Sequence, residues 1–292
     1  MIFMEERNES TAAVSSWKCR DLTLNYGEKM LVMGLLNVTP DSFSDGGRFY
    51  TPEHAVIRAR ELCEDGADLL DVGAESTRPG SEKISADEEL SRLIPALKLI
   101  MENISVPVSI DTYKSKTARE ALKFVASIIN DVWGLLYDKE MADVCSEYQA
   151  GVVIMANYTD PKIFERKGNI VDDCLSFFEK SAAVADRAGI PSERILYDPG
   201  IGFGTDTKEA IELLRAIPRI QKEGYPLLIG PSRKRFIGEI LEGVPADKRD
   251  AGTAAVSLFC QRQKAACVRV HNVFETVTAL KMQYAMEGTC DG

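Results

Sequence analysis

From residue 31 onward the chain alternates short apolar runs with amphipathic stretches, and it does so eight times. The runs are Leu31–Leu36, Asp68–Val72, Val106–Ile110, Ile128–Ile129, Val152–Met155, Ile195–Tyr197, Leu227–Ile229 and Cys267–Val270. Each is short and mostly β-branched or leucine, the composition of strands buried on both faces of a parallel sheet. Helix signals lie between them. Thr51-Pro52-Glu53 puts proline in a first helical turn and Gly66 stops that helix. Ser85 to Glu88 has the spacing of a capping box, ahead of a stripe of Leu90, Leu93, Ile94, Leu97, Ile100 and Met101. Asp172 to Ala188 and Thr207 to Ile217 also read as helices. Eight strand–helix units form either a closed barrel or a large open doubly wound sheet. The length of 292 residues is close to one α/β barrel, about 250 residues plus additions.

No linker, low-complexity tract or change of composition divides the chain, so one domain is expected over 17–292, after a mobile polar leader over 1–16. Trp17 to Lys29 alternates polar and apolar residues around Asn25-Tyr26-Gly27, which predicts a hairpin closing the N-terminal mouth of the barrel. No apolar run reaches the roughly 20 residues needed to span a bilayer. The leader lacks a secretory pattern, so a cytoplasmic protein with no membrane partner is expected. The net charge of −10 argues against a nucleic-acid surface, and any anionic ligand must be held by a local basic cluster. Seven cysteines, an odd number without a CxxC pair, read as free thiols.

In a parallel barrel the active site lies where the strands end. The first strand leads into Asn37 and a loop to Gly47; the second runs through Asp71 to Gly80. The third ends at Asp111, the fourth at Asn130-Asp131, and the sixth at Asp198-Pro199-Gly200. The seventh leads to Ser232-Arg233-Lys234 and the eighth to Arg269 and His271. A lone aspartate at a strand end is usually a helix cap or turn former, and that is the reading for Asp41, Asp71 and Asp131. For Asp111, Asn130 and Asp198 their convergence on one mouth favours function. Gly200 to Gly204 does not make a dinucleotide fingerprint, because Thr205 stands where the last glycine would be. Glycine there instead lets backbone approach a ligand, with Phe203 as an apolar wall. Of the two histidines, His54 is expected to be inert. His271 shares a side with Arg269, as a phosphate clamp would.

Met33 to Gly47 and Asp71 to Gly80 resemble the two long signatures of the dihydropteroate synthases. Asp198 to Gly204, Ser232-Arg233-Lys234 and Arg269-Val270-His271 complete the set in family order. The resemblance implies a (β/α)8 TIM barrel that condenses 6-hydroxymethyl-7,8-dihydropterin pyrophosphate with p-aminobenzoate by an SN1-like displacement. The products are 7,8-dihydropteroate and pyrophosphate. It implies catalytic roles for Asp111, Lys234 and Asn37. It assigns the pterin to Asp111, Asn130, Met155, Asp198, Lys234 and Arg269, the last stacked on the ring face. Pyrophosphate falls to Asn37, Thr77, Arg269 and His271, with Mg²⁺ at Asn37. Phe43, Thr77, Pro79, Phe203, Lys234 and Arg235 fall to p-aminobenzoate, next to a helix N-terminus suited to a carboxylate. The loops Thr39–Gly47 and Ser76–Gly80 would close over the site, so that p-aminobenzoate binds after the pterin pyrophosphate. A sulfonamide target is also implied, and a homodimer through the last helices, with Leu258, Phe259 and Val277 facing the partner.

This chain departs from the family pattern at Ala156, where a histidine is usual, at Arg235, where serine is frequent, and at Pro231. A corrinoid methyltransferase on the same barrel would share the Asp and Asn positions. It has no use for the Thr39–Gly47 loop, Ser232-Arg233-Lys234 or Arg269–His271.

Overall fold

The computed structural model describes residues 15–39, 51–76, 83–124 and 126–288. It opens with a hairpin, β1 (Ser16–Cys19) against β2 (Leu22–Asn25). Eight parallel strands follow: β3 (Leu31–Asn37), β4 (Leu69–Gly73), β5 (Val108–Asp111), β6 (Ile128–Asp131), β7 (Gly151–Met155), β8 (Ile195–Asp198), β9 (Leu228–Ile229) and β10 (Cys267–Val270). The helices between and after them are α1 (Pro52–Glu64), α2 (Ala86–Met101), α3 (Ser115–Phe124), α4 (Met141–Glu147), α5 (Ile170–Arg187), α6 (Thr207–Arg215), α7 (Ile217–Lys222), α8 (Arg235–Ile240), α9 (Asp250–Arg262) and α10 (Val273–Glu287).

The strands lie in the order β8-β7-β6-β5-β4-β3-β10-β9. A parallel bridge between Tyr197 and Leu227, with the Tyr197 N–H donating to Pro226 O at 2.9 Å, brings the segment before β9 back to β8 and closes the ring. This settles the choice between open sheet and barrel: the fold is a (β/α)8 barrel. Sequence periodicity placed all eight strands, but β6 runs on through Asn130 and Asp131, two polar residues that an apolar pattern excludes. The helix expected to run from Thr207 to Ile217 breaks at Ala216, because Pro218 starts a second short helix.

Caps explain where several helices begin. Ser85 Oγ accepts the Glu88 N–H at 3.2 Å, as the sequence predicts. A complete reciprocal box stands at Asp206 and Glu209, and Asn169 and Asn272 cap α5 and α10.

The hairpin closes the N-terminal mouth. Trp17, fully buried, packs with Cys19, Leu31, Met33, Leu69, Ile128, Val153, Leu196, Leu228 and Cys267, and its indole N–H donates to Arg194 O at 2.8 Å. Its turn is at Arg20-Asp21 rather than at Asn25–Gly27. Arg20 accepts a left-handed φ of 56° because its backbone N–H bonds Gln149 O at 2.8 Å and its guanidinium bonds Leu122 O and Ala126 O. Strand β1 already begins at Ser16, inside the expected leader; residues 1–14 lie outside the described part.

Among the described residues no helix is long and apolar enough to cross a membrane, and Cys19, Cys63, Cys145, Cys174, Cys260 and Cys267 are free thiols.

Candidate active site

Asn37, Gly73, Asp111 and Asn130 are register partners across β3, β4, β5 and β6, so they form one row at the C-terminal mouth. At Gly73 a Cβ would stand 3.4 Å from Asp111 Cβ and 3.6 Å from both Asn37 Oδ1 and Asp111 Oδ2. The open space beside this glycine is thus bordered by an amide oxygen and a carboxylate oxygen.

Asp71, two residues before Gly73 and so on the same face, overturns its reading as a cap or turn former. It is fully buried. Its Oδ2 accepts the Arg269 Nε–H at 2.5 Å and an Asn130 Nδ2–H at 2.9 Å. A carboxylate in an ion pair only accepts, so the Asn130 amide nitrogen faces Asp71 and its oxygen faces away from it. Arg269 spends its Nη2 on Asp111 Oδ2 at 2.7 Å. The guanidinium therefore spans two carboxylates, and its Nη1 edge makes neither of those bonds. Asp111 Oδ1 and Asp71 Oδ1 are buried without a hydrogen-bond partner among the described residues. Burial raises the Asp111 carboxyl to about 7; Arg269 opposes that rise, and Asp71, Glu89 and Asp131 add to it. Asp131 keeps its expected role, turning the chain by accepting the Trp133 and Leu135 N–H groups at 2.8 Å each.

Asp198 ends β8 beside Met155 of β7. It is 6% exposed and accepts the Gly200 N–H at 2.8 Å. Burial raises its pKa to about 6 against the pull of that N–H, Lys234 and Arg269. Lys234, the N-cap of α8, is partly buried near it, and burial lowers its pKa to about 8 against the attraction of Asp198. Two glycines leave room for these groups: a Cβ at Gly230 would come 3.5 Å from Asp198 Oδ2, and one at Gly202 3.0 Å from Lys234 Cδ. The Lys234 Nζ stands 4.2 Å from the centre of the Phe203 ring. Phe203 packs in turn on Tyr113, Val132, Trp133 and Met155, an apolar wall beside the acid–base pair. Tyr113 and Trp133 escaped the sequence reading because an aromatic residue after a strand is indistinguishable from core.

The segment carrying Lys234 is fastened from behind. Arg233, at φ 56°, forms a two-pronged pair with Asp250, 2.7 Å on each side. Arg249 donates to the carbonyls of Arg233 and Lys234 at 3.0 and 3.3 Å. Arg235 turns outward, exposed and paired with Glu239 at 3.2 Å. His271 follows β10, with Ser232 Oγ 2.8 Å from its Nδ1. His54 is exposed at the start of α1.

A family model described as pterin binding enzyme matches residues 33–271. A dihydropteroate synthase of Bacillus subtilis is 42% identical over 263 residues, 90% of either chain. The chain belongs to the dihydropteroate synthase family. Among solved structures, a dihydropteroate synthase from Clostridium difficile, in the presence of pteroic acid, superposes with a TM-score of 0.84 at 43% identity, over 90% of this chain and 98% of that one. The Xanthomonas albilineans dihydropteroate synthase with 4-aminobenzoic acid gives 0.86 at 38% identity, over 94% and 98%.

Of the residues that the family resemblance singles out, Asn37, Asp111, Asn130, Met155, Asp198, Phe203, Lys234, Arg269 and His271 lie at or just beyond the C-terminal ends of the strands. Arg235 follows Lys234 at the start of α8, with its side chain exposed and paired with Glu239. Phe43, Thr77 and Pro79 lie outside the described residues, as do most of both expected closing loops. Ala156, at the position of the usual histidine, is fully buried, and its backbone carbonyl comes so near Gly200 that a Cβ there would sit 1.7 Å from it.

Proposed function

We propose that the chain condenses 6-hydroxymethyl-7,8-dihydropterin pyrophosphate with p-aminobenzoate, giving 7,8-dihydropteroate and pyrophosphate. The observation that carries this reading is the buried Asp198 with the partly buried Lys234 near it, beside an apolar wall and at the same mouth as Arg269. A pterin edge presents amino and ring N–H donors next to a carbonyl. Asp198 and the Asn130 oxygen accept from the first, and Lys234 donates to the second. Met155 lines the pocket, and Arg269 stacks on the flat ring face.

The displacement is SN1-like. The C–O bond breaks with its electron pair going to pyrophosphate, the arylamine forms the C–N bond, and the amine gives up a proton. Arg269 and His271 supply N–H donors to the leaving anion, and the Asp111 carboxylate stabilises positive charge that develops on the pterin. The p-aminobenzoate carboxylate is placed at the N-terminus of α8 near Lys234, with Phe203 against its ring.

Mg²⁺ fits the Asn37–Asp111 end of the row. The described residues hold no cluster of three or more histidine, cysteine or acidic ligands. That suits an ion carried largely by substrate phosphates, with one or two protein oxygens. Asn37 Oδ1 and the unpartnered Asp111 Oδ1 would hold it, and its chemistry there is neutralisation of the leaving pyrophosphate.

The assembly we propose is a cytoplasmic homodimer through α9 and α10. Leu258 and Val277 pack against the barrel's own core, whereas Phe259, Phe274, Met282 and Met286 are exposed and form the better candidate face. The deciding experiment is incubation with both substrates and Mg²⁺. Formation of dihydropteroate and pyrophosphate in equal amounts is expected; pterin pyrophosphate left unchanged, or hydrolysed without coupling, overturns the reading.

A further inference from the structure

Ser232 has a place in the structure that the pterin and p-aminobenzoate contacts leave unexplained. Its side chain is 8% exposed. Its Oγ accepts the backbone N–H of His271 at 3.0 Å and lies 2.8 Å from Nδ1 of the same residue. A backbone N–H can only donate, so one lone pair of the hydroxyl is committed. The contact to Nδ1 then has two forms. In one the hydroxyl donates to an unprotonated Nδ1, and every hydrogen is used. In the other an Nδ1–H donates to the oxygen, and the hydroxyl hydrogen is left at a buried position whose partners among the described residues are both on His271. The second form carries the cost of an unmet buried donor.

The geometry of this contact is built rather than incidental. Asp250 clamps Arg233, the neighbour of Ser232, and also accepts from Asn272 Nδ2 at 3.1 Å, the neighbour of His271. Arg233 N–H further donates to Thr253 Oγ1 at 3.1 Å. One carboxylate on α9 thus holds together the two loops whose tips are Ser232 and His271. Arg269, two residues before His271, is fixed on the barrel axis by Asp71 and Asp111.

We propose that Ser232 is a positioning residue that fixes the tautomer of His271: its hydroxyl donates to Nδ1, so that Nε2 carries the proton and serves as a hydrogen-bond donor to an anion. A neutral imidazole with the opposite tautomer would turn a lone pair toward that anion and repel it. The device lets His271 donate without needing a positive charge, which Arg269 already supplies next to it.

The test uses the whole chain with ¹⁵N-labelled histidine. Only His54 and His271 contribute signals, and a His54→Gln variant assigns them. At alkaline pH, where imidazole is neutral, His271 is expected to show a pyridine-type Nδ1 and a pyrrole-type Nε2. A pyrrole-type Nδ1 overturns the proposal without any variant or ligand. In Ser232→Ala the two tautomers should mix, and pyrophosphate affinity by calorimetry should fall roughly three- to tenfold, the range of one lost hydrogen bond. Ser232→Thr should restore both. A Ser232→Ala protein that keeps the wild-type nitrogen shifts and affinity also overturns it.

Only the affinity arm rests on the reading of His271 as a pyrophosphate ligand. If the tautomer moves and pyrophosphate binding does not, the hydroxyl sets the imidazole but the anion role fails, and the proposal is overturned in that part. Loss of product formation with the spectroscopic result intact would count against the proposed reaction instead.

Discussion

The Arg269 guanidinium donates its Nε–H to Asp71 Oδ2 at 2.5 Å, in a position where Asp71 has no solvent exposure at all. That pair joins β4 to β10 across the barrel and, with the bond to Asp111, fixes the direction of the guanidinium. Removing the carboxylate leaves a buried guanidinium with one partner instead of two, and frees the Asn130 amide to rotate. Asp71→Ala is expected to cost about 3–5 kcal/mol in urea unfolding, as for other buried pairs broken on one side. Asp71→Asn should cost less but still weaken pterin binding. A loss in Asp71→Ala below about 1 kcal/mol would show that the pair is not a structural tie.

In the proposed site Asp198 accepts from the pterin edge, so Asp198→Ala should weaken pterin binding by about 1–3 kcal/mol. The pH dependence follows from the groups of the proposed site. As pH falls through about 7 and then about 6, Asp111 and then Asp198 take up protons, and the negative charge and the acceptor that the proposed reaction needs are lost; as pH rises through about 8, Lys234 loses the proton it donates. The profile of kcat/KM for the pterin substrate should therefore fall on both sides of a maximum between about 7 and 8. Residual activity of Lys234→Gln should lack the alkaline limb, and an unchanged limb would assign it elsewhere.

Stability should move with pH in the opposite sense to that of an ordinary paired carboxylate. The Asp198 pKa is raised from 3.8 to about 6 by burial. Between those values the folded protein holds a proton that the unfolded chain has released, so the contribution of this group falls as pH rises through the window. Asp198→Asn should gain on the wild type by up to about 3 kcal/mol between pH 4 and pH 7, and the gain should vanish at the acid end. Paired unfolding curves at both pH values measure it; a constant difference contradicts the shift.

Two glycines should behave differently when given a methyl group. Gly200 is at φ +71° and its Cβ would overlap Ala156 O, so Gly200→Ala should lose more than about 2 kcal/mol. At Gly73 the added Cβ would make ordinary contacts. Gly73→Ala should fold with stability within about 1 kcal/mol of the wild type, yet, if Mg²⁺ is held as proposed, lose turnover, because the methyl fills the space bordered by Asn37 and Asp111. Normal turnover in a stable Gly73→Ala protein would remove the ion from that end of the row.

Arg235 pairs with Glu239, and the pair is exposed on both sides. Arg235→Ala is therefore expected to change KM for p-aminobenzoate by less than about threefold, the scale of a surface pair. A tenfold rise would show that the side chain swings inward with substrate.

Periodicity alone dictated eight buried strands with helices between them. An apolar strand satisfies its backbone only beside another, and that requirement is local enough to be written residue by residue. The motifs at the strand ends likewise announced Asp111, Asn130, Asp198, Lys234, Arg269 and His271, since polar residues that interrupt an apolar run are visible without coordinates. Closure was decided only in three dimensions, by the meeting of Tyr197 and Leu227, thirty positions apart in the chain and unremarkable in type. Asp71 was misread for the same kind of reason: a carboxylate inside a strand is tolerable only if an opposite charge arrives, and that charge comes from Arg269, almost two hundred residues later. The Arg235 side chain was likewise decided by its neighbour one helical turn on, Glu239, which holds it in solvent. Sequence specifies which groups must be neutralised or buried; the pairing that does so depends on which strands become neighbours, and only the closed barrel determines that.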